Sequence, residues 1–181
     1  MRTVLLIGRF QPFHNGHLEA VKYALKQADR LIIVVGSAQK SHELQNPFTA
    51  GERIEMIWRA LKRMGLADRV LLIPVPDVEN HNLWVPLVNS LVPEYSTVFS
   101  NDPLTLQLFR EQKIDAREVP LKNRTILMAT EVRRRIIADE DWEELVPEEV
   151  AIFIRDIDGI ERLKMLNRYN MASKRDSRQL A

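Results

Sequence analysis

Two imidazoles and a guanidinium fall within one short stretch near the start of the chain, Gly8-Arg9-Phe10-Gln11-Pro12-Phe13-His14-Asn15-Gly16-His17. The sequence has only four His, and no acidic residue lies between Arg2 and Leu18 to neutralise this group. Uncompensated cations beside polar donors suit a polyphosphate. The apolar run Val4–Ile7 precedes the stretch, and Leu18, Val21, Ala24, Leu25 and Ala28 follow with helical spacing, so it sits where a buried strand turns into a helix. Gly8 permits tight backbone geometry, Pro12 stiffens the loop, and Asn15 is the expected N-cap, with Gly16 and His17 in the first turn. A helix start presents unpaired N–H groups and about half a positive charge, which together bind phosphate. The plainer alternative is that a His beside a helix start merely caps it or faces water. A structural zinc site has little support, because the chain has no Cys and His42 and His81 lack a partner at ligand spacing.

Three other segments gather cationic, polar or aromatic side chains. Thr130-Glu131-Val132-Arg133-Arg134-Arg135 places three successive Arg on a helix, where they point in three directions and at most one or two can reach a single ligand. A solvated basic face is the ordinary reading of such a run. Gly36-Ser37-Ala38-Gln39-Lys40-Ser41-His42, continuing to Asn46-Pro47-Phe48-Thr49-Ala50-Gly51-Glu52-Arg53, is a polar loop feeding a capped helix. Pro74-Val75-Pro76-Asp77-Val78-Glu79-Asn80-His81-Asn82-Leu83-Trp84-Val85 sets an indole among amides. Trp at a helix start is more often packing than platform, yet a planar aromatic with nearby amides can stack on a flat heterocycle and hydrogen-bond its substituent.

Gly8–His17 resembles the HxGH signature of the nucleotidyltransferase superfamily, and the preceding Gly-Arg-Phe-Gln-Pro-Phe is similar to the GRxQPxHxGH form of archaeal-type nicotinamide mononucleotide (NMN) adenylyltransferases. Ile126-Leu127-Met128-Ala129-Thr130-Glu131-Val132-Arg133 resembles the superfamily's ISSTxIR motif in its archaeal TEVRRR form, with Met128 and Ala129 where small or hydroxyl residues are usual. The Gly36–Arg53 stretch resembles GSAQxSH…NPFTAGER, with Gln45 at a place often basic. The Pro74–Val85 stretch resembles PVPD…N-x-[LI]-W-V, with His81 where the family has Asn. The likeness spans roughly residues 2 to 165.

It implies that the 5′-phosphate of NMN attacks the α-phosphorus of ATP in line, giving NAD and pyrophosphate without a covalent intermediate. It assigns catalysis to His14, His17, Arg9 and Arg133, and ATP contacts to Gly8, Arg9, Phe10, His14, Gly16, His17, Thr130 and Arg133. NMN contacts fall to Ser37, Asp77, Asn80, His81, Asn82 and Trp84. Mg²⁺ is expected with ATP, bridged by phosphates rather than held by side chains, and relatives imply a homo-oligomer such as a hexamer. An adenylyltransferase for nicotinate mononucleotide, FMN or phosphopantetheine stays open as an alternative, as does a non-catalytic nucleotide sensor.

The elements that must position these residues alternate along the chain. Leu31–Val35, closed by Gly36, reads as a strand buried on both faces. Thr49-Ala50-Gly51-Glu52 reads as a capping box before a helix with Ile54, Ile57, Trp58 and Leu61 on one face. Val70–Ile73 is a third strand stopped by Pro74 and Pro76, Leu83–Leu91 a helix, and Thr97–Phe99 a fourth strand. Asp102 caps a helix opened by Pro103, with Leu104 and Leu108 repeating at four-residue spacing, and Ala116–Val119 suggests a further strand. The fold class is therefore α/β: a single-domain, Rossmann-like parallel sheet with helices on both faces and a helical C-terminal part. That last part packs through Val150, Phe153, Ile154, Ile157, Ile160, Leu163 and Leu166. Residues 1–169 form the domain, and from Asn170 a polar, frayed tail is expected. Ligands in such sheets bind beyond the carboxyl ends of the strands, where the HxGH loop lies.

Composition narrows the classes. With 181 residues, 45% of them hydrophobic, the chain has material for one ordinary core. A net charge of +1 gives no general attraction to nucleic acid or a membrane surface. No run reaches the roughly 20 apolar residues of a membrane span, and no secretory leader opens the chain. Absence of Cys suits a reducing cytoplasm.

Overall fold

The computed structural model describes residues 1–120 and 128–179, with side chains described to residue 173. Five parallel strands, β1 (Thr3–Gly8), β2 (Arg30–Val35), β3 (Val70–Pro74), β4 (Thr97–Phe99) and β5 (Ala116–Arg117), form one sheet in the order β3-β2-β1-β4-β5. The chain runs outward from β1 to β3 and then crosses back to β4, so strand order reverses beside β1. This is the switch point at which open α/β sheets bind ligands.

Side-chain alternation sorts the central strands into two cores. Val4, Leu6, Leu31, Ile33 and Val35 face a layer containing α1 (Asn15–Leu25), α2 (Ala50–Arg63), α5 (Ala129–Ile137), α6 (Glu148–Asp156) and α7 (Gly159–Gln179). Leu5, Ile7, Ile32, Val34 and Val98 face α3 (Trp84–Leu91) and α4 (Pro103–Glu111). Most of these strand residues are fully buried, each side chain contributing on the order of 1.5–3 kcal/mol against exposure. β1 and β2 thereby become the rigid floor from which the loops rise. Among the described residues no helix is long and apolar enough to cross a membrane.

Two helix faces differ from their periodic reading. On α2 the buried residues are Arg53, Met56, Ile57, Ala60 and Leu61, while Trp58 is exposed beneath the Lys62 ammonium, 4.5 Å from the ring centroid. On α4 the core takes Leu106 and Phe109, and Leu104 is exposed. On α2 a second row one residue along offered the same spacing, and on α4 Leu106 and Phe109 form a competing apolar pair three residues apart. The stretch expected to fray from Asn170 continues α7 as helix to Gln179.

Candidate active site

The loop from Arg9 to Phe13 is held from below by its own side chains. Phe10 and Phe13 are buried, and Gln11, also buried, exchanges two hydrogen bonds with the main chain of Phe48: its Nε2 donates to the carbonyl at 2.9 Å, and its Oε1 accepts the N–H at 3.0 Å. Phe10 adopts a positive φ of 54° that folds its ring back over Gly8, where an added Cβ would stand 2.9 Å from the ring. Gly8 is thus required by the packing of Phe10, and the Phe10 ring meets His17 edge-on at 4.7 Å.

The N-cap of α1 is His14, with Asn15 already the first helical residue. This corrects the expectation of Asn15 as cap. His14 Nδ1 accepts the His17 N–H at 3.3 Å, and His17 Nδ1 accepts the His14 N–H at 3.3 Å, a capping box built from two imidazoles. Asn15 instead donates from Nδ2 to the carbonyl of Glu144 at 2.9 Å, tying the loop to the segment before α6. Accepting at Nδ1 places the proton of each neutral ring on Nε2, so each His keeps one N–H donor for the cavity they line. Burial holds His14 down to about 4, with the Arg133 charge adding to the effect, and burial followed by His14 holds His17 well below the usual imidazole range. Both rings are neutral donors at neutral pH.

That cavity, about 420 Å³, is lined by the motif loop, the start of α1, the end of β4 and the start of α5. Every residue expected to contact ATP lines it: Gly8, Arg9, Phe10, His14, Gly16, His17, Thr130 and Arg133. Arg133 donates from Nη1 to the Gln11 carbonyl at 2.6 Å and reaches Thr130 Oγ1 at 3.4 Å. Burial and the Arg9 charge lower Arg133 to about 10, which leaves it fully cationic near neutral pH. No carboxylate pairs with Arg9 or Arg133 among the described residues, whereas Arg134 is bound by Glu131 and Glu140, and Arg135 by Glu131 and Glu144. Of the three successive Arg, one faces the cavity. Met128, the N-cap of α5, makes no side-chain cap bond, so the first N–H groups of that helix remain available there. Ile126 and Leu127 lie outside the described residues.

A second cavity, about 540 Å³, opens over the ends of β2, β3 and β4 and shares Ile7, Gly8, Arg9, Ser100 and Asp102 with the first. Ser37, Asp77, His81 and Trp84 line it. Asp77 accepts from Ser37 Oγ at 3.0 Å and pairs with Lys40 at 3.3 Å. Trp84 is 9% exposed, packs edge-on against Phe109 at 6.0 Å, and leaves its buried Nε1 without a partner among the described residues. Asn80 and Asn82 do not line this cavity, contrary to expectation. The Asn80 side chain instead accepts the Asn82 N–H at 3.0 Å and caps the 3-10 turn His81–Leu83, which turns His81 alone of the three toward the cavity.

Two positions at the site carry little functional signal in the sequence: Gln11, and Arg53, a fully buried guanidinium beneath the rim. Gln11 sits inside the motif without being part of its chemistry. Arg53 lies four residues before Ile57 on the apolar stripe of α2, and a charged residue on that stripe is the signal that could have found it.

Residues 5–157 match the cytidylyltransferase-like family. The chain is 49% identical to the nicotinamide-nucleotide adenylyltransferase of Thermococcus onnurineus (strain NA1) over 162 residues, which are 90% of this chain and 87% of that protein. It is also 49% identical to the Pyrococcus furiosus protein of the same name over 168 residues, 92% of this chain and 89% of the relative. The chain belongs to the nicotinamide-nucleotide adenylyltransferases of this family. Its fold is also similar to that of a bifunctional NMN adenylyltransferase/ADP ribose pyrophosphatase from Francisella tularensis, in a structure described as complexed with AMP and a manganese ion. The TM-score is 0.80 at 23% identity; the match covers 98% of this chain and 56% of the other, so this chain spans little more than half of that protein's length. Three positions depart from the motifs that the sequence resembles. Met128 leaves α5 uncapped by a side chain, His81 lines the second cavity, and Gln45 is exposed and lines neither cavity.

Proposed function

We propose that this protein transfers the adenylyl group of ATP to NMN, forming NAD and releasing pyrophosphate. The observation that carries the reading is the junction of the two cavities on one ridge, Gly8-Arg9 with Ser100 and Asp102, between a phosphate-binding side and an aromatic side. ATP phosphates fit the first cavity, where two cations, two neutral Nε2–H donors and two helix starts converge. NMN fits the second, its pyridinium ring against Trp84 and its phosphate directed to the ridge.

An oxygen of the NMN phosphate attacks the α-phosphorus of ATP; the new P–O bond forms as the bond to the bridging oxygen of pyrophosphate breaks, and that oxygen leaves with the electron pair. No side chain need become covalently attached. His14 and His17 donate hydrogen bonds to phosphate oxygens without carrying a proton that the phosphates would compete for, and Arg9 and Arg133 balance the charge that spreads over them. Orientation across the ridge supplies the rest, since two bound nucleotides react as an intramolecular pair. Among the described residues no three His, Asp or Glu converge to hold a cation, and the donors of the first cavity suit phosphate rather than bare metal. Mg²⁺ brought with ATP would neutralise part of the phosphate charge beside Arg9 and Arg133.

The test presents purified protein and MgATP with NMN, nicotinate mononucleotide, FMN or phosphopantetheine and follows pyrophosphate release. NMN is expected to give the highest kcat/KM. A higher value for FMN or phosphopantetheine would overturn the reading, as would ATP binding with turnover on none of them. We also propose a cytoplasmic homo-oligomer, up to a hexamer. The exposed Met165, Tyr169 and Met171 of α7 support self-association, which sedimentation velocity would test.

A further inference from the structure

Arg53 is fully buried, lines neither cavity and has no carboxylate within hydrogen-bonding distance among the described residues. Burying a guanidinium is costly unless its donors are satisfied, and here four of its five N–H donors go to main-chain carbonyls. Nε donates to Thr49 at 3.2 Å, Nη1 to Arg9 and to Gly36 at 2.8 Å each, and Nη2 to Ser37 at 3.1 Å. These carbonyls belong to three separate pieces of chain: the loop after β1, the loop after β2 and the start of α2. Arg9 lines both cavities, and Gly36 and Ser37 line the second. The planar fork has fixed donor directions, so it fixes the separation of those loops.

Resting on the adenylyl-transfer reading above, we propose that Arg53 is a positioning residue that sets the distance between the ATP and acceptor sites by clipping the backbones of Arg9 and Ser37 together from beneath. It touches neither substrate. A planar multidentate group is needed there because a Lys ammonium, though cationic, cannot span carbonyls on both loops in the same geometry. Displacement of the reacting atoms by about 1 Å can cost on the order of 10²-fold in rate while each nucleotide still finds its own contacts. The signature is therefore a loss in kcat without a matching loss in binding.

The experiment compares wild type with Arg53→Lys and Arg53→Gln, well below each variant's melting temperature. ATP and NMN binding are measured separately by calorimetry, and NAD formation at saturation. Arg53→Lys is expected to bind each nucleotide within about threefold of wild type and to lose at least about 30-fold in kcat, within the range that misalignment of reacting groups produces. Arg53→Gln, neutral and with two donors, is expected to show the same split. Full kcat in either folded variant, or equal losses in binding and kcat, would overturn the proposal. Failure of both variants to fold would overturn it too, since the residue would then serve stability alone. If wild type itself makes no NAD, the transfer reading fails instead.

Discussion

The rings of His14 and His17 stack with centroids 3.6 Å apart and planes 23° from parallel, while each Nδ1 accepts the other residue's backbone N–H. One pair of contacts therefore starts helix α1, fixes both tautomers and aims both remaining N–H donors. Phe10 and Phe13 close the far sides of the His17 ring, at 4.7 and 5.6 Å between centroids. The donors are held in place before substrate arrives, which is what makes such donors effective.

The first prediction separates capping from catalysis at His17. In His17→Asn the side-chain oxygen can still accept the His14 N–H, but nothing replaces the Nε2–H. The variant should fold and bind ATP nearly normally while kcat falls by on the order of 10²-fold, as for loss of one preorganised donor. Steady-state kinetics with separately measured ATP affinity checks it; near-wild-type turnover would remove His17 from the chemistry.

Stability should fall as pH falls through the upper acid range. An unfolded His takes a proton near 6.5, whereas buried His14 stays neutral down to about 4. Between those values the unfolded chain binds more protons, so folding weakens as pH drops and levels off below about 4, for a loss on the order of 3 kcal/mol from this residue. Chemical denaturation between pH 7 and 4 should show the decline, and His14→Asn, whose side chain does not titrate there, should make it shallower while the part due to buried His17 remains.

Arg133 and Arg134 should differ sharply. Arg133→Ala removes the cation that bridges α5 to Gln11 at the cavity wall and should raise the KM for ATP and lower kcat, together at least about 10²-fold in kcat/KM for a charged hydrogen-bonding group. Arg134→Ala breaks surface pairs with Glu131 and Glu140 and should leave both constants within about twofold. Similar losses in the two variants would misplace the helix.

Which parts of this site were legible depended on the kind of signal. Thr49 and Glu52 announce a helix start by a spacing found almost nowhere else, and they form that capping box. Asp102-Pro103 opens α4 in the same way. His14 displaced Asn15 as cap because imidazole Nδ1 can accept a backbone N–H, which residue preferences for caps underweight. Arg53 and Gln11 gave little notice, since their partners are main-chain groups from distant loops and no side-chain pattern encodes them. The Asn80 side-chain oxygen is engaged in a local turn, a competition that short polar side chains enter wherever the backbone bends.

Trp84 should matter for NMN and not for ATP. Because it also packs against Phe109, Trp84→Leu is the cleaner variant, filling part of the core while removing the aromatic face. KM for NMN should rise about tenfold, roughly 1.4 kcal/mol, with KM for ATP nearly unchanged. Equal increases for both substrates would make Trp84 a packing residue only.

Cavities on either side of Gly8-Arg9 suit a single displacement between two bound nucleotides. ATP carrying sulfur in one configuration at the α-phosphorus tests this directly when the configuration at the same phosphorus is read in the dinucleotide product. Direct in-line attack by NMN predicts inversion at that centre. Retention would require two successive displacements through an adenylylated group of the protein, and would contradict the mechanism.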